Sequence, residues 1–457
     1  MSEEINVYNI AQKILNSLNQ NNNIKCSEVF LDKKNYINIE IEENSIKNSK
    51  LATEMGISVR TIDTRGSLGF SFTNKIENKT IERIVKTAIK MMKSGTPDPD
   101  FKKLPDLCNS YPTVKGLYDD KIENLEIEDS SKYVNDLIKV CEKDDKAISQ
   151  SAKFKSSCNE TYIFNSNGIE VFGKDTICSI SSNIIVKDKI SNKTSFGFDW
   201  QSVRNIKDLD SERIALNALE RAKQHLIRKN VKNMKVPIIL TPIGTINVIL
   251  SPIISAINAE NFQYKRSFLV GKRGTKIGTD LLDIEDNALI EGAMGSSSFD
   301  DEGTPCNNKK IIEKGLFLQQ GLLHNSYTAA KEGIECTGNA IRASYSSLPS
   351  IDATNFIFKS GNDSKDDIIN DIKQGILFEY SGDSANISTG DFSGLILQGN
   401  LIEKGEIKHS LNNTMFGINL LELFQNISQV SKEYQIYGPY RAPYVRVDNV
   451  QIIGNKD

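Results

Sequence analysis

From Val236 to Ala259 the chain runs 24 residues without a charge, and a stretch of that length must be either a membrane span or the centre of a folded core. Its interior decides between them. Pro242, Gly244, Asn247, Ser251, Pro252 and Ser255 interrupt the run, and each proline removes a backbone donor that hydrocarbon could not replace. The pattern predicts a buried strand over 236–240, then helical turns starting at Thr241-Pro242 and restarting at Ser251-Pro252. At each start a hydroxyl residue caps and proline takes the first helical position. A buried strand feeding a buried helix places this segment at the heart of a domain.

At 457 residues the chain exceeds one ordinary core, so two or three domains are expected. Residues 5–18 place Ile5, Ile10, Ile14 and Leu18 near helical spacing. Alternating segments SEVFLD, NYINIEIEEN, ATEMGISVRTID and GSLGFSFT follow as separate strands, and Asn78 or Thr80 caps the helix that comes next. The segment over 94–116 holds four of the eleven prolines and reads as an exposed connector. The first pattern then returns: a helix over 131–140, strands in ISQSAKFKSS, ETYIFNSNGIEVFG and CSISSNIIVKD with Asn167-Gly168 as a turn, and a helix capped by Asp210 or Ser211. GSLGFSF and KTSFGFDW precede the two closing helices alike, which indicates a degenerate duplication. Past Val236 glycines multiply and strand-like pieces dominate, with helices expected only over 366–377 and 419–424. The fold class is therefore α+β: a duplicated helix-strands-helix amino-terminal region, then a mostly β, loop-rich carboxy-terminal domain. The divisions are 1–104, a linker over 105–127, 128–232 and 233–457.

Charge is balanced, with 56 basic and 59 acidic residues dispersed along the chain, which argues against a nucleic-acid footprint. No basic amphipathic helix suggests a membrane surface. Seven cysteines without a CxxC pair signal neither a disulfide framework nor a thiolate zinc site. The amino terminus lacks an apolar signal core, and a cytoplasmic protein is expected.

Several familiar chemistries are missing. GKRGTK at Gly271 lacks the spacing and the hydroxyl of a phosphate-binding loop, and no GxSxG elbow occurs. The three histidines, His225, His324 and His409, are too far apart for a local zinc motif. The most pointed polar feature is Asp300-Asp301-Glu302, followed by Gly303 and Pro305. It reads either as a cation or acid-base site or as a turn whose carboxylates bind neighbouring amides, the latter being favoured. Thr337-Gly338-Asn339 and the turn ending at Asp391 could present amides to a ligand. Arg266, Arg342 and Arg441 could grip carboxylates or simply be solvated.

Five segments, FLVGKRGTKIG, SFDDEGTP, GLLHNSYTAAKEGIECTGNAIRASY, STGDFSG and LIEKGEI, follow one another over some 140 residues as in the TldD/PmbA (TldE) proteins, which the chain resembles. The resemblance implies a two-subunit metallopeptidase. Its TldD branch carries HExxxH on a helix upstream of the GKxG segment and a cysteine near the carboxyl end as third zinc ligand. The stretch facing that motif here is LSPIIS: Leu250 and Ser255 stand at the histidine positions and Ser251 at the general base, and the last cysteine is Cys336. Residues five apart on a regular helix point about 140° apart, so two ligands at that spacing need a widened turn. Ser251-Pro252 instead reads as an ordinary helix start.

Leucine offers no lone pair and serine is a poor zinc ligand beside imidazole. The resemblance therefore implies the PmbA/TldE branch: no cofactor in this chain, zinc only in a TldD-like partner, a heterodimer, and unfolded peptides as substrates. The residues leave two alternatives. One is an independent peptidase with a relocated site built from His324, His409 and the 300–302 carboxylates; the other is a homodimeric peptide-binding scaffold. The gyrase-modulator label attached to the family finds no support in the charge pattern.

Overall fold

The computed structural model describes residues 7–455. Ile5 of the expected first helix lies outside them. The helix itself runs Val7–Asn19 (α1) and buries Ala11, Ile14, Leu15 and Leu18. It is followed by β1 (Ile24–Glu42), β2 (Ser45–Asp63), β3 (Leu68–Thr73) and α2 (Asn78–Ser94). After a connector comes a short turn of helix, α3 (Asp120–Glu123). Then α4 (Ile127–Glu142), β4 (Ala147–Asn165), β5 (Glu170–Lys187), β6 (Thr194–Val203) and α5 (Ser211–Gln224) repeat the order of the first set.

The duplication is visible in the topology. The six strands form one antiparallel sheet in the order β3-β2-β1-β4-β5-β6, with the two units joined back to back through β1 and β4. The strands are longer than the sequence suggests. SEVFLD and NYINIEIEEN are one strand, because the polar residues at 32–36 alternate faces with no glycine or proline among them, and both segments that meet at Cys158 likewise continue through β4. Asn167-Gly168 does close the β4–β5 hairpin, with Gly168 at φ +94°.

One face of the sheet carries the helices. Val29 and Leu31 pack under α1 and α2, while Ile37, Ile39 and Ile41 pack under α4 and α5, so each strand of the joint serves both cores. Asp210 caps α5 by accepting from the Arg213 amide. The start of α2 differs from expectation: its cap is Glu77, with no side-chain bond to the helix. The connector also differs, since Phe101 and Leu104 are buried against Cys26 and Ile62. Apolar side chains spaced along it hold it to the first unit.

In the carboxy-terminal part, the strand Met234–Leu240 lies between Gln374–Tyr380, parallel to it, and Tyr440–Ile453, antiparallel to it, at the centre of a 14-stranded sheet. The helix predicted over 366–377 stops at Asn370, and Gln374 onward is strand, because those residues alternate into the core beside Ile238. A helix over Ser326–Glu332, closed by Asn325 with a capping box and Gly333 at φ +71°, was not expected from the sequence.

The central segment departs from expectation at one point. Thr241 caps and Pro242 starts a helix as predicted, but there is no restart at Ser251-Pro252. Backbone angles stay right-handed helical through Thr245, Ile246, Leu250 and Ser251, and the turn Ile246–Leu250 is a π turn in which the Ser251 amide reaches back to the Ile246 carbonyl. Proline at 252 has no N–H to donate to residue 248, and widening the preceding turn accommodates its ring. The helix ends at Asn258, which caps Ala259–Gln263. Among the described residues, no helix is long and apolar enough to cross a membrane.

Candidate functional site

The second face of the six-stranded sheet is where the carboxy-terminal part docks. Gly56 makes room there, since a Cβ at that position would lie 2.3 Å from the Tyr345 ring. Phe30 and Ile163 of the sheet pack with Phe299 and Tyr345 of the loops.

Beside this contact the 300–302 carboxylates find their partners. Asp300 accepts from the amides of Glu302 (3.0 Å), Thr304 (2.9 Å) and Ala340 (3.0 Å), which closes the turn on itself. Gly303 at φ +79° completes the turn, with Ile169 so near that a Cβ would lie 2.7 Å from it. Burial and the neighbouring Glu302 push the Asp300 carboxyl up to about 7 in spite of these donors. Asp301 accepts from the Arg342 amide at 2.6 Å, and burial pushes it up to about 6.

Glu302 joins a chain of charges. It accepts from the Ser326 amide and hydroxyl, both at 2.7 Å, and from Arg60 at 2.7 Å. Arg60 also holds Glu28 at 2.6 Å, and Glu28 in turn is held by Arg342, whose guanidinium lies over the Phe30 ring. All four side chains are at most 4% exposed. Although burial disfavours the charge of Glu302, Arg60 and Ser326 hold its carboxyl below the usual range. Two arginines and two glutamates thus alternate along one buried line from β1 and β2 into the carboxy-terminal loops. Asn339 is buried alongside and donates to Asp286 (2.9 Å), while the Thr337 hydroxyl donates to the Asn339 side-chain oxygen Oδ1 (2.8 Å). Gly338 sits between them at φ +70°.

These residues border a cleft of about 500 Å³ between the sheet and the loops, lined among others by Asp32, Asp175, Asp301, Arg342 and Asp352. Asp300, Asp301, Gly338, Asn339 and Arg342 are therefore brought together, with Glu302 and Thr337 behind them. Arg266 and Asp391 do not line the cleft. Arg266 is exposed over the Tyr264 ring, and Asp391 accepts from Asn419 at 2.9 Å. Arg441 stacks on Tyr434. Glu28 and Arg60 escaped the sequence reading; they lie directly opposite each other in the β1–β2 register, which only the folded sheet reveals.

The histidines are dispersed. His225 caps the carboxyl end of α5 and is buried there, with Nδ1 2.9 Å from the Ser410 hydroxyl and Nε2 3.3 Å from Glu379. Glu379 also pairs with Arg221 of α5 at 2.9 Å, which ties the second unit to the carboxy-terminal sheet. His324 is buried with both ring nitrogens unbonded, and burial pushes its pKa down to about 4. Among the described residues no three His, Cys, Asp or Glu side chains are placed to hold a metal ion, so the relocated site of His324, His409 and the 300–302 carboxylates does not assemble.

At the positions of the zinc motif, Leu250 is wholly buried among apolar side chains and the Ser255 hydroxyl donates to the Ser251 carbonyl at 3.3 Å. The Tyr440 phenol lies against Ser251. A zinc ion would meet no imidazole, thiolate or carboxylate on these three residues, so the donor set does not fit the metal.

Residues 233–454 match the PmbA/TldA metallopeptidase C-terminal domain, residues 120–226 its central domain and residues 27–92 its domain 1. The chain belongs to the TldD/PmbA/TldE family. It is 28% identical over 462 residues to the metalloprotease PmbA homolog of Buchnera aphidicola, covering 99% of this chain and 98% of that protein. To the metalloprotease TldD homolog of Haemophilus influenzae it is 25% identical over 416 residues, covering 87% and 83%. The crystal structure of TldE from Thermococcus kodakarensis superposes with a TM-score of 0.87 at 24% identity, covering 97% of this chain and all of that one, which shows the shared fold.

Proposed function

We propose that this chain is the metal-free subunit of a TldD/TldE-type zinc peptidase acting on unfolded peptides in the cytoplasm, with the zinc held by a TldD-like partner. One observation carries the reading. The core helix runs on through Ser251–Ile257 and displays Leu250, Ser251 and Ser255 where the ligands and base would stand, none of which can close a zinc shell. A helix without donors at those positions, in a chain of this family, fits a subunit that leaves the metal to its partner. Without a metal, no group on this helix lowers the pKa of a water toward neutrality.

The test is to purify the chain alone and together with a TldD-like chain, then measure zinc content and cleavage of an unstructured peptide. The isolated chain is expected to hold no stoichiometric zinc and to cleave nothing, and the pair to do both while eluting as a heterodimer. Zinc-dependent cleavage by the isolated chain would overturn the reading. A stable homodimer that ignores the TldD-like chain would favour the scaffold alternative.

A further inference from the structure

Below the docked loops the second face of the six-stranded sheet is bare. On β1 the residues Asp32, Lys34, Tyr36, Asn38 and Glu40 share this face, opposite the one that carries the helices. Three hollows follow one another along it. The first is the cleft of about 500 Å³ described above. The second, about 340 Å³, is lined by Lys34, Tyr36, Lys153, Lys155, Ser157 and Ser179. The third, about 460 Å³, is lined by Glu40, Lys153, Ser181, Phe198 and Trp200. Lys34 and Glu54 wall both the first and second, and Lys153 both the second and third, so the hollows form one continuous trough.

The trough is polarised. Its end at the loops carries Asp32, Asp301 and Asp352, each with a carboxyl raised above its ordinary value chiefly by burial. Asp175 is also there but is paired with Arg204 at 2.6 Å. The middle is lysine-lined. Lys153 is paired with Glu40 at 2.6 Å, and Glu54 accepts from Tyr36 at 2.7 Å. Lys34 and Lys155 are left without an ion-pair or hydrogen-bond partner among the described residues, and Lys155 is lowered by burial and by the neighbouring Lys153 and Lys34. Asp32, Asp301 and Asp352 at one end and Lys34 and Lys155 in the middle thus face the same open channel without a direct ion pair between them. Asp32 and Lys34 are two residues apart on one strand, roughly 7 Å, which is also the separation of side chains i and i+2 on any extended chain.

We propose that this trough binds an extended polypeptide of alternating charge, with a basic group over Asp32, Asp301 and Asp352, an acidic group two residues along over Lys34 and another further along over Lys155, which lies opposite Asn38. The inference rests on the peptide-handling reading above and adds to it a location on this subunit and a charge preference. Recognition through charge at alternate positions leaves the intervening side chains free, which suits a site that accepts many sequences.

The experiment measures fluorescence anisotropy of three labelled twelve-residue peptides on the isolated full-length chain at low salt: a Lys-Gly-Glu-Gly repeat, a Glu-Gly repeat and a Lys-Gly repeat. The alternating peptide is expected to bind about tenfold or more tightly than either of the others, and to weaken as salt is added. The double variant K34E/K155E, at exposed positions, should keep the wild-type circular dichroism and melting temperature. It should lose about tenfold for the alternating peptide and shift its preference to the Lys-Gly repeat. Equal binding of all three peptides, binding of none, or unchanged affinities in the double variant would overturn the proposal. The readout involves neither zinc nor cleavage. A zinc-bearing isolated chain with a working trough would sink only the proposed function, and a metal-free chain indifferent to K34E/K155E would sink only the trough.

Discussion

The two amino-terminal units share a pattern and a sheet, yet they are fastened to the carboxy-terminal part by different means. The first unit is joined through Glu28, Arg60, Glu302 and Arg342, all at most 4% exposed and alternating in sign. The second is joined through Arg221, Glu379 and His225, where Arg221 and Glu379 keep 14% and 16% exposure. Arg221 also bonds the Phe198 carbonyl at 2.7 Å and the Tyr437 hydroxyl at 3.0 Å, so its contacts are spread over several weaker acceptors. A buried, closed charge chain tolerates no missing member, whereas a half-wet one can recruit water. The two units share one sheet through β1 and β4, but each meets different loops of the carboxy-terminal part.

The sharpest way to break the comparison is Arg60→Met, which strands Glu28 and Glu302 in the interior without their shared cation. A loss of about 3–5 kcal/mol in urea unfolding is expected. Arg221→Met removes the corresponding group of the second unit, and with water able to reach Glu379 the cost should be about 1–3 kcal/mol by the same measurement. Equal costs would mean that the two joints are alike after all.

The pH dependence sharpens the contrast further. Asp300 keeps its proton up to about 7 when folded but titrates near 3.9 when unfolded. The folded state therefore binds more protons in between, and its stability falls as pH rises through that window. Asp301, raised to about 6, contributes in the same direction at the lower end. Asp300→Asn should flatten the fall between pH 5 and 7 by on the order of 2 kcal/mol, seen as converging chemical-denaturation midpoints. Glu302, lowered when folded, acts below this window, since its contribution disappears only as pH falls through the ordinary carboxylate range. The smallest effect is expected at Lys153→Ala. Its pair with Glu40 is more than a third exposed on both sides, and unfolding should change by no more than about 0.5 kcal/mol.

Much of the architecture can be read from local pattern. The helix starts at Thr241-Pro242 and Asp210, the hairpin turn at Asn167-Gly168 and the buried strand over 236–240 all rest on backbone preferences that act over a few residues. Where expectation and structure part, distant residues intervene. The helix over 366–377 breaks at Asn370 because Ile376 and Phe378 are claimed by a neighbouring strand. Of the site, the grouping of Asp300, Asp301 and Glu302 was legible as a motif, and the turn reading holds for Asp300. Its counterparts Glu28 and Arg60 were not legible, since nothing local ties residue 28 to residue 302.

The sequence by itself determined which side chains are available: the two-unit pattern, the uncharged core segment, and the presence of Leu250, Ser251 and Ser255 within it. Tertiary structure alone decided that both units complete one sheet, that the turn before Pro252 is widened rather than restarted, and that four charges from three places close on one another. The reason is physical. Helix caps and turns are short-range and carry their cause in adjacent residues, whereas strand pairing and burial of charge depend on which partner the whole chain brings near, and only the folded chain supplies it.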